Sequence, residues 1–204
     1  MTDQKLIHIV DDEDSIRRSV GFMLKTSGYQ VESWTSGQAF LKEVKHAAHG
    51  CILLDIRMPE IDGLEVQRIL AERGVTMPVV IMTGHGDISI AIRAMKAGAV
   101  DFLEKPFEKA VLLSAIEESF QRIANASDAS TRTADAETIL AALTARERDV
   151  LEGLAKGLPN KTIAYDLGIS PRTVEVHRAN LMMKLGVRSL SDALRIAFAA
   201  GLGS

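Results

Sequence analysis

The chain has 204 residues, of which 47% are hydrophobic and 25% are charged, and its formal net charge is −3. This length predicts one large domain or two small ones, with enough apolar residues for a buried core. No apolar run approaches the ~18 residues of a transmembrane helix, and no signal peptide is visible, so we expect a cytoplasmic protein. The single cysteine, Cys51, excludes an intrachain disulfide and fits a reducing compartment.

The charge is distributed unevenly along the chain. Residues 1–124 carry a net charge of −4, residues 125–137 carry −2, and residues 138–204 carry +3. This distribution predicts that only the C-terminal part binds a polyanion. Residues 125–137 contain no large apolar side chain, which is typical of an exposed linker, although their alanines leave a helical linker open.

The first 124 residues alternate between short runs rich in Val, Ile and Leu and longer amphipathic stretches. Such βα repeats form a doubly wound parallel sheet with helices on both faces, here with five strands. In open sheets of this kind, ligands bind at the carboxyl ends of the strands. The predicted strands are 6–10, 31–34, 51–54, 78–82 and 101–104, and the predicted helices are 14–27, 36–45, 64–73, 88–97 and 108–123.

Polar side chains follow four of these strands. Asp11 and Asp12 follow the first, Asp55 the third, Thr83 the fourth and Lys105 the fifth. Three carboxylates at one edge repel each other and raise each other's pKa unless a cation lies among them. Oxygen ligands of this kind favour Mg²⁺, or Mn²⁺ in its place. One carboxylate would remain able to act as a nucleophile toward phosphorus.

Residues 138–204 show no strand pattern and predict four helices. A helix over 161–167, the three-residue turn 168–170 and a helix from 171 to about 185 match a helix-turn-helix. The predicted helix starts are the capping box of Thr144 and Glu147, then Asn160, Ser170 followed by Pro171, and Ser191.

The second helix of this motif has two different faces. Val174 and Leu181 lie on the predicted core face, and the opposite face would meet base edges in a major groove. Arg178 lies near the core edge, where it either pairs with a carboxylate such as Glu147 or contacts DNA. A four-helix protein-interaction module is the alternative, and loss of binding at high salt would favour DNA. The predicted DNA-binding residues are Lys161, Arg172, Thr173, Glu175, Val176, Ala179, Asn180 and Lys184.

Residues 4–122 resemble the receiver domain of two-component response regulators. The resemblance implies that Asp55 accepts a phosphoryl group from a sensor histidine kinase. It also implies that Asp12 and Asp55 bind the metal directly, that Asp11 acts mainly through water, and that the main-chain carbonyl of Arg57 is a further ligand. The matching residues are Asp11, Asp12, Asp55, Met58, Pro59, Gly63, Thr83 and Lys105.

The same resemblance implies a conformational switch. Thr83 would move toward the phosphoryl group with the loop 84–87, and Phe102 would fill the space that Thr83 leaves. Many family members have Tyr at the position of Phe102, so a hydroxyl contact is absent here. Lys105 would pair with a phosphoryl oxygen, and Pro106 follows it at a bond that is expected to be cis in a tight turn.

The segments 143–151, 157–164 and 170–177 resemble the LuxR-type DNA-binding domain, over about residues 139–202. Together the two halves resemble the NarL/FixJ subfamily of response regulators. This implies a receiver over 1–124, a linker over 125–137 and a helix-turn-helix domain over 138–204. The implied function is transcriptional activation, not enzymatic turnover, with phosphorylation promoting dimerisation and promoter binding. The implied partners are double-stranded promoter DNA, RNA polymerase and a second copy of the chain.

Four segments, 83–87, 95–102, 104–108 and 158–161, are especially similar to the nitrogen-fixation regulators of this subfamily. That similarity implies a FixL-like haem oxygen sensor as the kinase. A regulator of the same subfamily in another pathway and a metal-dependent aspartyl-phosphate phosphatase are the alternatives. The phosphatase class resembles a DxD pattern after strand one, whereas the candidate nucleophile here follows strand three. A regulator gated by a small molecule would need an apolar pocket in the first half.

Overall fold

The computed structural model describes residues 5–84, 88–124, 136, 139–187 and 189–203. The chain divides into two compact units, Met1–Gly86 with Ala97–Asn125 and Asp87–Lys96 with Ala126–Ser204. The predicted linker, apart from residue 136, and residues 85–87 of the switch loop lie outside the described residues. Across the described part of the chain, no helix is both long and apolar enough to cross a membrane.

The first unit contains a parallel sheet in the order β2-β1-β3-β4-β5. This is the predicted five-stranded doubly wound fold, and the order is that of flavodoxin-like sheets. Buried parallel strands are apolar on both faces, which is why the three fully buried strands, Leu6–Val10, Cys51–Asp55 and Val79–Thr83, could be found as short apolar runs. The strands are β1 (Leu6–Val10), β2 (Gln30–Trp34), β3 (Cys51–Asp55), β4 (Val79–Thr83) and β5 (Asp101–Glu104).

Helices connect the strands and supply both apolar layers. Leu53 on one face of the sheet packs in a core with Leu24 and Ile116. Side chains alternate along a strand, so Ile52 and Leu54 lie on the other face, and both are fully buried. The helices of this unit are α1 (Asp14–Lys25), α2 (Gly37–Glu43), α3 (Gly63–Glu72) and α5 (Lys109–Ala124). Between β4 and β5 in sequence comes α4 (Ile88–Lys96), which belongs to the second unit.

From residue 145 onward the described elements are all helical, as predicted. The capping box of Thr144 and Glu147 is present with both of its hydrogen bonds. The side chain of Ser170 accepts a hydrogen bond from the Thr173 N–H at the start of the second helix of the motif. Gly168 adopts a φ of 65° in the turn, a conformation that favours glycine. The helices are α6 (Ala145–Ala155), α7 (Asn160–Leu167), α8 (Pro171–Lys184) and α9 (Leu190–Ala199).

Two predicted helix starts are wrong. Asn160 is the first residue of α7 rather than its cap, and Pro159 takes the cap position without a side-chain hydrogen bond. The fixed φ of proline suits that position, because the φ there is −67°. Helix α9 is capped by Ser189 instead of Ser191, because the extended backbone at Ser189 directs its hydroxyl toward the Asp192 N–H.

Candidate functional site

Three carboxylates meet at the carboxyl edge of the sheet. Val10 pairs with Leu54, so the ends of β1 and β3 are neighbours. One oxygen each from Asp11, Asp12 and Asp55 lies within 4.8 Å of the other two. Asp11 and Asp55 are buried, with exposures of 0% and 6%, whereas Asp12 is exposed. The edge therefore opens to solvent on the side of Asp12.

Lys105 places its ammonium between two of these acids. Its Nζ lies 2.6 Å from Oδ1 of Asp55 and 2.7 Å from Oδ2 of Asp11. The backbone N–H of Lys105 donates to the carbonyl of Thr83 at 2.7 Å, which fixes the end of β5 beside β4. The bond to Pro106 is cis, as expected. The cation thus offsets part of the like-charge repulsion at this edge.

The pKa values at this edge are shifted. Burial raises the pKa of Asp55 to about 6, helped by the charges of Asp11 and Asp12 and opposed by Lys105. Burial alone would lower the pKa of Lys105, but its hydrogen bonds to Asp11 and Asp55 outweigh burial and raise that pKa. At neutral pH Asp55 is therefore mostly ionised and Lys105 is charged, which places an anionic carboxylate beside a fixed cation.

A backbone N–H and the side chain of Arg17 fix the orientation of Asp11. Its Oδ1 accepts the N–H of Glu13 at 2.8 Å, and its carbonyl oxygen accepts Nη1 of Arg17 at 2.7 Å. The Arg17 side chain is only 12% exposed. Arg17 is not among the residues predicted from the sequence, because a basic residue on an amphipathic helix is usually solvated. Its only signal is a position on the first turns of α1, directly after the acidic strand end.

The loop after β3 packs closely against Asp55. The N–H of Gly63 donates to the carbonyl of Ile56 at 2.9 Å. A Cβ atom at residue 63 would lie 2.3 Å from the carbonyl oxygen of Asp55. Only glycine can occupy this position without moving the backbone of Asp55, which gives the Gly63 of the sequence motif a steric reason.

The proposed switch residues occupy the neighbouring strands. Thr83 ends β4 and is 2% exposed, and its Oγ1 lies 3.4 Å from the carbonyl oxygen of Gly84. Phe102 in β5 is partly exposed. Arg57 follows β3 by two residues and has an exposed side chain, and the role of its carbonyl stays a prediction.

The acids at this edge fit a small divalent cation. All three offer oxygen ligands, and their separations of up to 4.8 Å approach the spacing that such an ion needs. In octahedral coordination with bonds of about 2.1 Å, opposite ligands lie about 4.2 Å apart and adjacent ligands about 3.0 Å apart. Asp11, Asp12 and Asp55 would hold the ion after their oxygens move closer together.

The second unit exposes one face of α8. Val174 and Leu181 are fully buried, whereas Val176 and Met183 are 53% and 73% exposed. Large apolar side chains on an exposed helix face can contact thymine methyl groups in a major groove. Among the predicted DNA-binding residues, Lys161, Arg172, Glu175 and Ala179 are also exposed, and Thr173 and Asn180 are partly exposed.

Lys184 differs from the other predicted DNA-binding residues. Its Nζ lies 2.7 Å from Oε2 of Glu147 on α6. The sequence predicts Arg178 as one possible partner of Glu147, and the structure pairs Glu147 with Lys184. The hydrogen bond from Lys184 and the backbone N–H of Thr144 lower the pKa of Glu147 to about 2.

The comparison with known families agrees with this architecture. The model of the response regulator receiver domain matches residues 7–117. The model described as bacterial regulatory proteins, luxR family, matches residues 141–197. The chain belongs to the response regulators that join a receiver domain to a LuxR-type DNA-binding domain.

Its relatives include FixJ proteins over nearly the whole chain. It is 48% identical to the transcriptional regulatory protein FixJ of Azorhizobium caulinodans, over 96% of this chain and 93% of the relative. It is 40% identical to the response regulator protein TmoT of Ectopseudomonas mendocina, over 96% and 90%. The crystal structure of full-length FixJ from B. japonicum matches 98% of each chain, with 42% identity and a TM-score of 0.60. The expected resemblance to the NarL/FixJ subfamily is thereby confirmed.

Proposed function

We propose that the chain is a phosphorylation-controlled transcriptional activator that works in the cytoplasm. The observation that carries this proposal is the buried Asp55 carboxylate, held 2.6 Å from Lys105 and grouped with Asp11 and Asp12. A metal-assisted carboxylate nucleophile in a receiver domain is suited to accept a phosphoryl group. The LuxR-type domain in the same chain gives that chemical event an output on promoter DNA.

The phosphoryl transfer follows from the charges at this edge. The ionised Asp55 attacks the phosphohistidine of a sensor kinase, and the bond from phosphorus to the histidine nitrogen breaks. Mg²⁺, when bound, supplies neutralisation of the charge on the phosphoryl oxygens. Lys105 then exchanges its contact with Asp55 Oδ1 for a phosphoryl oxygen. The new group carries about −1.5 to −2 charge, which favours movement of the Thr83 hydroxyl toward it.

The output is proposed to be binding of a two-fold related promoter site by two copies of the chain. The exposed face of α8 would read base edges, with Arg172, Val176 and Asn180 along it. Lys161 and the N-terminus of α8 would bind phosphates. Dimerisation through the receivers would bring two such helices to one duplex, where RNA polymerase is the final partner.

The preferred pathway in this proposal is oxygen-regulated nitrogen fixation, with a FixL-like haem kinase as the phosphoryl donor. Support comes from the FixJ relatives and from the sequence segments around the switch. A second candidate is a different signalling pathway, because the regulator TmoT is only eight percentage points less identical than FixJ of A. caulinodans. The two differ in the donor, so transfer from purified FixL-type and non-FixL kinases would separate them.

Labelling with acetyl phosphate tests the phosphorylation site. We expect Mg²⁺-dependent incorporation of phosphate into the wild type and none into Asp55→Asn. Asp101→Asn is the matched control, because Asp101 is also buried in the sheet but lies at the amino end of β5. Its Oδ1 caps the Phe102 N–H, and an amide oxygen can still accept that bond. Retained labelling of Asp55→Asn at neutral pH would exclude Asp55 as the acceptor.

A further inference from the structure

The C-terminal end of α8 is joined to the start of α6 by an ion pair. The Lys184 ammonium and the Glu147 carboxylate lie 37 positions apart in sequence and 2.7 Å apart in space. The Glu147 side chain is 5% exposed and the Lys184 side chain is 35% exposed. The pair therefore connects two packed helices and does not lie on the surface of a single helix.

Glu147 is also held by the hydrogen bonds of the capping box. Its Oε2 accepts the N–H of Thr144 at 2.8 Å, and its own N–H donates to Oγ1 of Thr144 at 3.3 Å. Lys184 thus pairs with a carboxylate that the capping box orients. A pre-organised acceptor of this kind defines the position of its partner better than two flexible surface side chains can.

We propose that Glu147 and Lys184 are positioning residues for DNA binding, with Lys184 acting through Glu147 instead of contacting a phosphate. The ion pair holds the C-terminal half of α8 in the orientation that presents its exposed face to base pairs. The N-terminal half is held separately, by the Ser170 cap and by burial of Val174. This inference rests on the proposed DNA-binding function.

The alternative phosphate contact carries an electrostatic cost. To reach a phosphate, Lys184 would have to release a nearly buried carboxylate and leave that charge without its cation. Removing the cation from a carboxylate whose side chain is only 5% exposed is unfavourable. Lys161 has no such conflict in the described structure, because it is exposed at the start of α7. Substitutions of Lys161 and Lys184 are therefore expected to have different effects on the salt dependence of DNA binding.

Four single variants of the full chain, and the double variant of Glu147→Gln with Lys184→Met, separate the two roles. Glu147→Gln keeps an acceptor for the capping box, where Gln is tolerated, but removes the charge that holds Lys184. Lys184→Met removes the ammonium, and Lys184→Arg keeps a cation. Lys156→Met is the matched control, because Lys156 pairs with Glu152 on the surface of α6, and both side chains are more than 40% exposed.

The wild type, activated with beryllofluoride and Mg²⁺, is first used to enrich a duplex from a library of short duplexes with a randomised centre. The enriched duplex, labelled with a fluorophore, is the probe. Affinity is measured over a series of salt concentrations, with thermal unfolding of each variant as the fold control. We expect Glu147→Gln and Lys184→Met each to weaken binding about tenfold, with the salt slope of the wild type retained. The double variant should be no worse than either single one, because both remove one interaction. Lys184→Arg and Lys156→Met should bind like the wild type.

Other results would overturn the proposal. A salt slope reduced by about 0.9 in Lys184→Met, with Glu147→Gln binding normally, would assign Lys184 to a phosphate. Additive losses in the double variant would show two independent roles. If Lys184→Met does not fold, Glu147→Gln decides, because normal binding by that variant is incompatible with the proposal. Failure of the wild type to enrich any duplex would instead refute DNA binding itself.

Discussion

The Asp55 carboxylate is harder to ionise than an exposed one, because the folded chain leaves it only 6% exposed. Its pKa rises from 3.8 to about 6, with burial as the main cause. A carboxyl group with a higher pKa in the folded state binds more protons there than in the unfolded state. The free energy of unfolding therefore falls as pH rises from 3.8 to about 6. The ionised Asp55 carboxylate is thus a local source of instability that a cation can relieve.

Replacing Asp55 by Asn should stabilise the metal-free protein. At pH 7 we expect the free energy of unfolding to rise by about 1–2 kcal/mol, because a neutral amide avoids the cost of a buried charge. The gain should shrink as pH falls toward 3.8, where Asp55 is protonated in the wild type as well. Urea unfolding in a chelator, with and without Mg²⁺, measures this. Mg²⁺ should stabilise the wild type more than the variant, and a variant less stable than the metal-free wild type would contradict the argument.

Gly63 and Gly21 offer a matched pair of glycine substitutions. Gly63→Ala should cost about 2 kcal/mol or more, because the new methyl group would lie 2.3 Å from the Asp55 carbonyl oxygen. It should also lower phosphate labelling, since relief of the clash moves the backbone of the nucleophile. Gly21 lies inside α1, and a Cβ there meets its nearest atoms at an ordinary 3.8 Å. Gly21→Ala should therefore stabilise by about 0.5–1 kcal/mol in the same unfolding assay; equal effects at both sites would exclude the steric explanation.

At the scale of elements, the sequence predicts the sheet well because each buried strand is a short apolar run that stops at a polar residue. The predicted run at 51–54 became β3 (Cys51–Asp55), and the run at 101–104 became β5 without change. Local signals failed at the start of α9, where the predicted cap was Ser191 and the observed cap is Ser189. Both are serines, and only the backbone geometry decides which hydroxyl meets a free N–H.

Long charged side chains were the least predictable part of both sites. Arg17 reaches back to the Asp11 carbonyl, and Lys184 reaches across to Glu147. Each could equally have been solvated, because helix position alone does not give the direction of a long side chain in three dimensions. The acids and Lys105 could be predicted to share an edge, since parallel strands place their carboxyl ends together.

The ion pair of Glu147 and Lys184, which connects α6 and α8, should affect the stability of the protein at acidic pH. The pKa of Glu147 lies at about 2 in the folded chain, below its ordinary value of 4.5, mainly through the hydrogen bond from Lys184. A carboxylate with a lowered pKa stabilises the fold above 4.5, and this contribution is lost as pH falls from 4.5 to about 2. The stability gap between wild type and Glu147→Gln, measured by urea unfolding, should therefore close across that window. A gap that stays constant over this pH range would mean that the Glu147 charge contributes nothing.

For the molecule as a whole, phosphorylation cannot favour DNA through charge alone. Residues 1–124 already carry −4, and a phosphoryl group adds about −1.5 to −2 to that half, whereas residues 138–204 carry +3. We therefore propose that a gain in affinity comes from presenting two basic domains to one duplex, where the second binding event is intramolecular. Two domains also release more counterions than one, so the salt slope of binding should rise together with the affinity.

Beryllofluoride with Mg²⁺ should therefore convert the chain from a monomer to a dimer and steepen its salt dependence on DNA by up to about twofold. Light scattering measures the mass, and a salt titration with the enriched duplex measures the slope. Asp55→Asn is the control, which should stay monomeric and keep the shallow slope, because beryllofluoride mimics a phosphoryl group on a carboxylate that this variant lacks. A rise in affinity without a change in mass or slope would mean that activation alters each DNA-binding domain singly, and the dimer would then have no part in the response.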